Sequence, residues 1–296
     1  MTARELGFLL LTSSLGDPDR KCLTTAQFRE LTTRARAMEK PDEDRDMADH
    51  DLIALGYDRE TAQRILSLLG QKALAARYVQ RGAEYQCFPF VRLNESYPSP
   101  LRSKLGIDAP GTIWVKGDLS LLFEKSVSLV GSRELGDDNL AFAREVGRQA
   151  ALQGYVLISG NARGADRAAQ DACLENGGKV ICIVADELYN KPENLDILYI
   201  SEDAYDLPFS AQRALQRNRV IHCLGEKVFV AQSSLEKGGT WKGSVKNLHS
   251  GWTPVYCYRD GSEAARELGN LGAELIGIDN LADFSKLPTP TKSFIE

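Results

Sequence analysis

The chain has 296 residues, with 43% hydrophobic and 26% charged side chains and a formal net charge of -5. Those are ordinary globular values; the acidic balance excludes a protein that coats nucleic acid through bulk electrostatics, and no apolar run approaches the roughly 20 residues a membrane span requires. Six cysteines with no CxxC pair and three histidines without ligand spacing exclude a disulfide framework and a metal site, so the expectation is a soluble protein of a reducing cytoplasm with no membrane partner.

Up to about Arg81 the pattern is helical. The early run LGFLLL has no basic leader and no small-residue cleavage site, which makes it a helix rather than a signal peptide. TAQFRELTTRARAM follows Thr24 and Thr25 as N-caps, and the acidic stretch from Glu39 to Asp51 reads as a solvated flank. LIALGYDRETAQRILSLLG has the rhythm of a helical hairpin; some hairpins touch DNA phosphates, but this turn carries no basic cluster and simple packing is expected.

From about Gln86 the composition changes to short β-rich runs: GTIWVKGD, SVSLVGS, YVLISG, KVICIVA, KVFVAQS, TPVYCYRD and AELIGID. Segments between them, such as DNLAFAREVGRQAALQG and SEAARELGNLG, have helical spacing and end at glycine. That alternation predicts an α/β fold, an extended Rossmann-like, doubly wound, mainly parallel sheet preceded by a small helical domain. The expected boundaries are 1–85 for the helical domain, 86–285 for the core and 286–296 for a flexible Pro/Thr-rich tail.

In such a sheet ligands bind beyond the carboxyl ends of the strands, and four loops there combine glycine with cations. VGSRELG offers Gly131, Ser132 and Arg133. ISGNARGAD offers Ser159, Gly160, Arg163, Gly164 and Asp166, at a helix start whose N–H groups and dipole suit an anion. QRNRVIH offers Arg217, Asn218 and Arg219, although arginines two apart on a regular helix face different ways. EKGGT offers Lys237, Gly238, Gly239 and Thr240, again before a helix. There is neither a GxGxxG nor a Walker A loop, so each signal is weak alone; together they point to a phosphate-bearing ligand. Asp166 is expected to orient Arg163 or cap its helix, Trp241 is a candidate for base stacking or core packing, and His222 reads as a packing histidine.

In this order and spacing, VGSRELG, ISGNARGAD, RNRVI and EKGGT resemble the core of the DNA-processing protein A (DprA/Smf) family, and the upstream stretch ending in WVKGDLSLL is similar to the segment preceding that core. The resemblance covers about Tyr78 to Phe284. It implies a protein that binds single-stranded DNA without cutting it, protects incoming strands in transformation or recombination, hands them to a RecA-type recombinase, and self-associates, with no cofactor. It also carries a strand-binding role over to Arg133, Arg163, Arg217, Arg219 and Lys237.

The chain departs from the family pattern where Gln170 replaces a histidine, Gln232 replaces a glutamate, and YRDGSE replaces a proline-glycine signature. No room is left after Phe284 for the winged helix of many relatives, so a divergent member is expected. Two rivals stand beside the DNA reading: a nucleotide-binding sensor, and a phosphoribohydrolase-like enzyme. KGGTWKGS echoes that enzyme's glycine loop, but no carboxylate follows Thr240 within a helical turn to serve as acid or base.

Overall fold

A computed structural model describes residues 1–36 and 45–289. Most of the acidic stretch before Arg45 and of the expected tail thus lies outside the described residues. The chain begins with helices α1 (Ala3–Thr12), α2 (Thr25–Arg36), α3 (Asp49–Ala54), α4 (Arg59–Leu69) and α5 (Lys72–Glu84). Local chemistry sets their starts. Thr2 and Glu5 close a reciprocal capping box on α1, Thr24 Oγ1 accepts the Gln27 N–H at 3.2 Å before α2, and Asp58 accepts the Thr61 N–H at 2.7 Å before α4. The apolar run at Phe8–Leu11 is buried core. In the hairpin turn between α3 and α4, Arg34 donates to the Leu55 carbonyl at 2.9 Å and lies over the Tyr57 ring at 4.4 Å, so the turn is packed rather than presented.

In the described part of the acidic stretch Asp46 and Asp49 are exposed, as expected of a solvated flank, and Asp51 departs from that reading. It is buried, accepts two guanidinium bonds from Arg45 at 2.6 and 2.7 Å and the Ala48 N–H at 2.7 Å, and these donors hold its carboxyl well below the usual carboxylate range.

Strands β1 (Phe88–Val91) and β2 (Thr112–Lys116) flank the short α6 (Ser99–Leu105). The repeating part follows: β3 (Ser126–Val130), α7 (Asp137–Leu152), β4 (Val156–Ser159), α8 (Ala165–Glu175), β5 (Val180–Val184), β6 (Ile197–Glu202), α9 (Ala211–Leu224), β7 (Val228–Val230), α10 (Gly238–Ser250), β8 (Val255–Tyr258), α11 (Glu263–Asn270) and β9 (Glu274–Ile276). Among the described residues these strands form one nine-stranded sheet in the order β1-β2-β6-β5-β4-β3-β7-β8-β9. From β6 to β9 every pairing is parallel, while β2 runs antiparallel to both β6 and β1. The expected mainly parallel, doubly wound sheet is therefore present.

Period-two alternation divides the core into two layers. Val127, Leu129, Leu157, Val180, Cys182 and Phe229 face a cluster shared with α7, α8 and the N-terminal helices. Their neighbours Val130, Ile158, Ile181, Ile183, Val228 and Val230 face α6, α9, α10 and α11. Gly147 lets α7 meet α8 closely, since a Cβ there would overlap the Ala169 carbonyl. On the second face Ser128 satisfies its buried hydroxyl by donating to the Ile221 carbonyl of α9 at 2.6 Å.

Two strands were not among the expected runs. FPFV of β1 contains Pro89 and lies at the sheet edge, where a missing N–H is tolerated. ILYISE of β6 follows β5 through an irregular loop rather than a helix, so the alternation that marks the other strands is absent there.

Candidate functional site

Chain order reverses direction at β3: β4, β5 and β6 add on one side, and after α9 the chain crosses to place β7, β8 and β9 on the other. This switch point opens a crevice beyond the carboxyl ends of β3 and β7. Direct bonds stitch the surrounding loops together. The Ser132 N–H donates to the Gln232 carbonyl at 3.0 Å, the Ala165 N–H to the Ser132 carbonyl at 3.1 Å, Thr240 Oγ1 to the Gly131 carbonyl at 3.0 Å, and Asn218 Nδ2 to the Gly239 carbonyl at 3.1 Å. Gly131 has no space for a side chain, because a Cβ there would overlap that of Ala165.

The cleft has a volume of about 750 Å³, and Gly131, Ser132, Arg133, Arg163, Asp166, Arg217, Asn218, Lys237, Gly238, Gly239 and Thr240 all line it. Loops far apart in sequence are thus brought to one place. Its lining holds the cations Arg133, Arg163, Arg217 and Lys237 against the carboxylates Glu134 and Asp166, a local positive excess in an acidic chain.

Arg217 is the centre of this arrangement. It is buried on the regular helix α9, with its guanidinium laid against Gly160, where any Cβ would overlap it. Its Nε is buried with no hydrogen-bond partner among the described residues. Burial draws its pKa down, opposed by Asp166, yet a guanidinium stays charged at any physiological pH. Facing it is the start of α10, which has no capping side chain and no acidic residue in its first turn. Among the described residues no acceptor takes the N–H of Gly238, Gly239 or Thr240. A buried fork of donors and an open helix N-terminus converge on the crevice, the arrangement that holds a phosphate oxygen.

The ISGNARGAD loop differs from expectation. Asp166 neither caps its own helix nor pairs with Arg163; its carboxylate accepts the N–H groups of Gly160 at 3.1 Å and Ala162 at 3.2 Å, within the influence of Arg217. Burial pushes its pKa up, and these donors oppose the rise. The chain's own carboxylate thus occupies loop donors that the sequence offers to a ligand. Arg163 extends from the rim, with its side chain 75% exposed and Glu134 at 3.6 Å. Gly164 has φ +84°, so that the loop can pass beside the Ser132 and Arg133 carbonyls. Ser159 is buried and accepts from Gln170 Nε2, inside the wall.

Arg219 does not reach the cleft. Two residues along a regular helix it points away from Arg217, bonding Glu202 at 2.6 Å and the carbonyls of Asp108 and Gln216. Ser159, Gly160 and Gly164 stand behind the lining rather than in it. Sequence reading missed Glu134, Leu215 and Ser234 as lining residues; only Glu134 carried a signal, by adjacency to Arg133. Trp241 belongs to the core and is not among the residues that line this cleft. His222 is fully buried between α9 and α10, 3.2 Å from Asn247 Nδ2, and burial pulls its pKa down to about 4.

Comparison with known proteins gives the arrangement its context. The model of the family described as DNA recombination-mediator protein A matches residues 90–284. DNA processing protein DprA of Streptococcus pneumoniae is 32% identical over 217 residues, covering 68% of this chain and 76% of that protein. Protein Smf of Escherichia coli is 30% identical over 156 residues, and the match spans 49% of this chain and 41% of Smf. The X-ray structure of the S. pneumoniae protein superimposes with a TM-score of 0.72 at 25% identity, over 96% of this chain and 98% of that one, so the N-terminal helices are included. DNA processing protein A of Helicobacter pylori, whose structure is described in terms of its single-stranded DNA binding mode, matches with a TM-score of 0.56 at 21% identity over 67% of this chain and 94% of that one.

Proposed function

The chain belongs to the DNA recombination-mediator protein A family, and on that premise we propose that it binds single-stranded DNA at the switch-point cleft and hands the strand to a RecA-type recombinase, without cutting it. The observation that carries this reading is Arg217: a buried guanidinium with an unpartnered Nε, facing an uncapped helix N-terminus. One phosphate would seat between them, and Arg133, Arg163 and Lys237 at the rim would meet its neighbours along the strand. Contacts made to phosphates are indifferent to base identity and weaken with salt. Self-association and a cytoplasmic setting accompany this reading.

The cleft can also take the phosphates of a free nucleotide, and one titration separates the two. Labelled oligo-dT, duplex DNA and a nucleotide panel are titrated against the wild type and the double variant Arg163→Ala with Arg217→Ala, at two salt concentrations. Binding of oligo-dT that collapses in the variant and falls with salt supports the DNA reading. A wild type that ignores oligo-dT at low salt yet binds or hydrolyses a nucleotide refutes it.

A further inference from the structure

A second groove, about 440 Å³ in volume, runs along the outer face of α10 from Glu236 to Ser250. Its position is fixed by sequence. Glu236 lines this groove, and the next residue, Lys237, lines the switch-point cleft, so the two lie next to each other at the start of α10. Trp241 and Val245 form an apolar floor, and Lys242, Lys246 and His249 stand along it at helical spacing. Lys242 and Lys246 are exposed, and neither has a carboxylate within ion-pairing distance among the described residues. Lys246 Nζ lies 5.6 Å from the centroid of the Trp252 ring.

An apolar floor edged by unpaired cations suits a ligand with flat apolar faces and a repeating negative charge. A polypeptide of ordinary composition lacks the second property and a free phosphate lacks the first. Lys242 and Lys246 are about 6 Å apart along the helix axis, a step that successive phosphates of an extended strand can match. We propose that the α10 groove is the continuation of the DNA path: a strand seated in the switch-point cleft leaves it past Lys237 and runs along Lys242 and Lys246 toward His249. This rests on the DNA reading of the cleft. It adds that binding has two segments, and that Glu236, the single carboxylate lining the groove, opposes the passage of the strand between them.

The test compares labelled oligo-dT of about five nucleotides, enough for the cleft, with one of about twenty, on the full chain. Lys242→Ala with Lys246→Ala is expected to weaken the long strand about tenfold at low salt, lower the steepness of its salt dependence by about 1.4, and leave the short strand unchanged. Glu236→Gln is expected to tighten the long strand about twofold and leave the short one alone. If the lysine variant binds the long strand as the wild type does, or loses both strands equally, the groove is not the path, even where Arg217→Ala abolishes binding and the cleft reading stands. If the wild type binds neither strand, the cleft reading fails and this proposal with it.

Discussion

Gly160 and Arg217 constrain each other from a loop and a helix: the guanidinium lies where a side chain at 160 would have to be. Gly160→Ala must therefore move Arg217 rather than the sheet, because the obstructing atoms are the far end of a long side chain. The expected outcome is a loss of about tenfold or more in oligo-dT affinity with little change in melting temperature, read by anisotropy and by circular dichroism. Arg219→Ala should do the reverse. It leaves the largely buried Glu202 carboxylate, its side chain 16% exposed and its pKa already pushed upward by desolvation, without its 2.6 Å partner. A stability loss of roughly 2–4 kcal/mol in a urea titration is expected, with short-strand affinity unchanged. The RNR tripeptide shows how far sequence reaches at this scale. Two arginines are visible in it, but which faces the crevice depends on the phase of α9 against the sheet, and that is set by Val220, Ile221 and Leu224 in the core.

α9 and α10 enclose the one deeply buried imidazole, that of His222. Gly243 of α10 makes room for it, since a Cβ at that glycine would stand 2.9 Å from Nε2, and Nε2 has no partner among the described residues. A proton would have to enter a fully buried seam. The folded-state pKa is about 4 against 6.5 for the free side chain. The unfolded chain therefore binds the proton first as pH falls, so the helix pair's contribution is intact above about 6.5, declines between 6.5 and 4, and is flat below. The full decline is about 3 kcal/mol, and His222→Asn should remove it, visible as a shallower dependence of the urea midpoint on pH across that window. At this scale the sequence was largely legible, because parallel strands buried on both faces leave uninterrupted β-branched runs. β6 escaped because a loop replaces its crossover helix, and β1 because Pro89 breaks the strand pattern at an edge.

The whole molecule carries a net charge of -5, yet its switch-point cleft gathers cations from three loops and the helix α9. Those segments are spread along the chain from Arg133 to Lys237, and only the order of strands around β3 brings them together, which is why the candidate site was legible as a set and not in any single motif. This contrast between a repelling surface and an attracting crevice makes a quantitative statement about salt. A strand confined to the cleft meets Arg133, Arg163, Arg217 and Lys237, the cations that line it among the described residues. For single-stranded DNA each neutralised phosphate contributes about 0.7 to the steepness of log affinity against log salt, so four cations allow a slope no steeper than about -3. A protein that coats DNA through bulk charge would show a much steeper line and would bind duplex as readily. The expected result for short oligo-dT is a slope between about -2 and -3, with duplex DNA bound more weakly at every salt concentration, measured by anisotropy across a salt series. A steeper slope, or duplex bound as well as single strands, would locate the binding energy outside the crevice, because among the described residues no further cation lines the cleft.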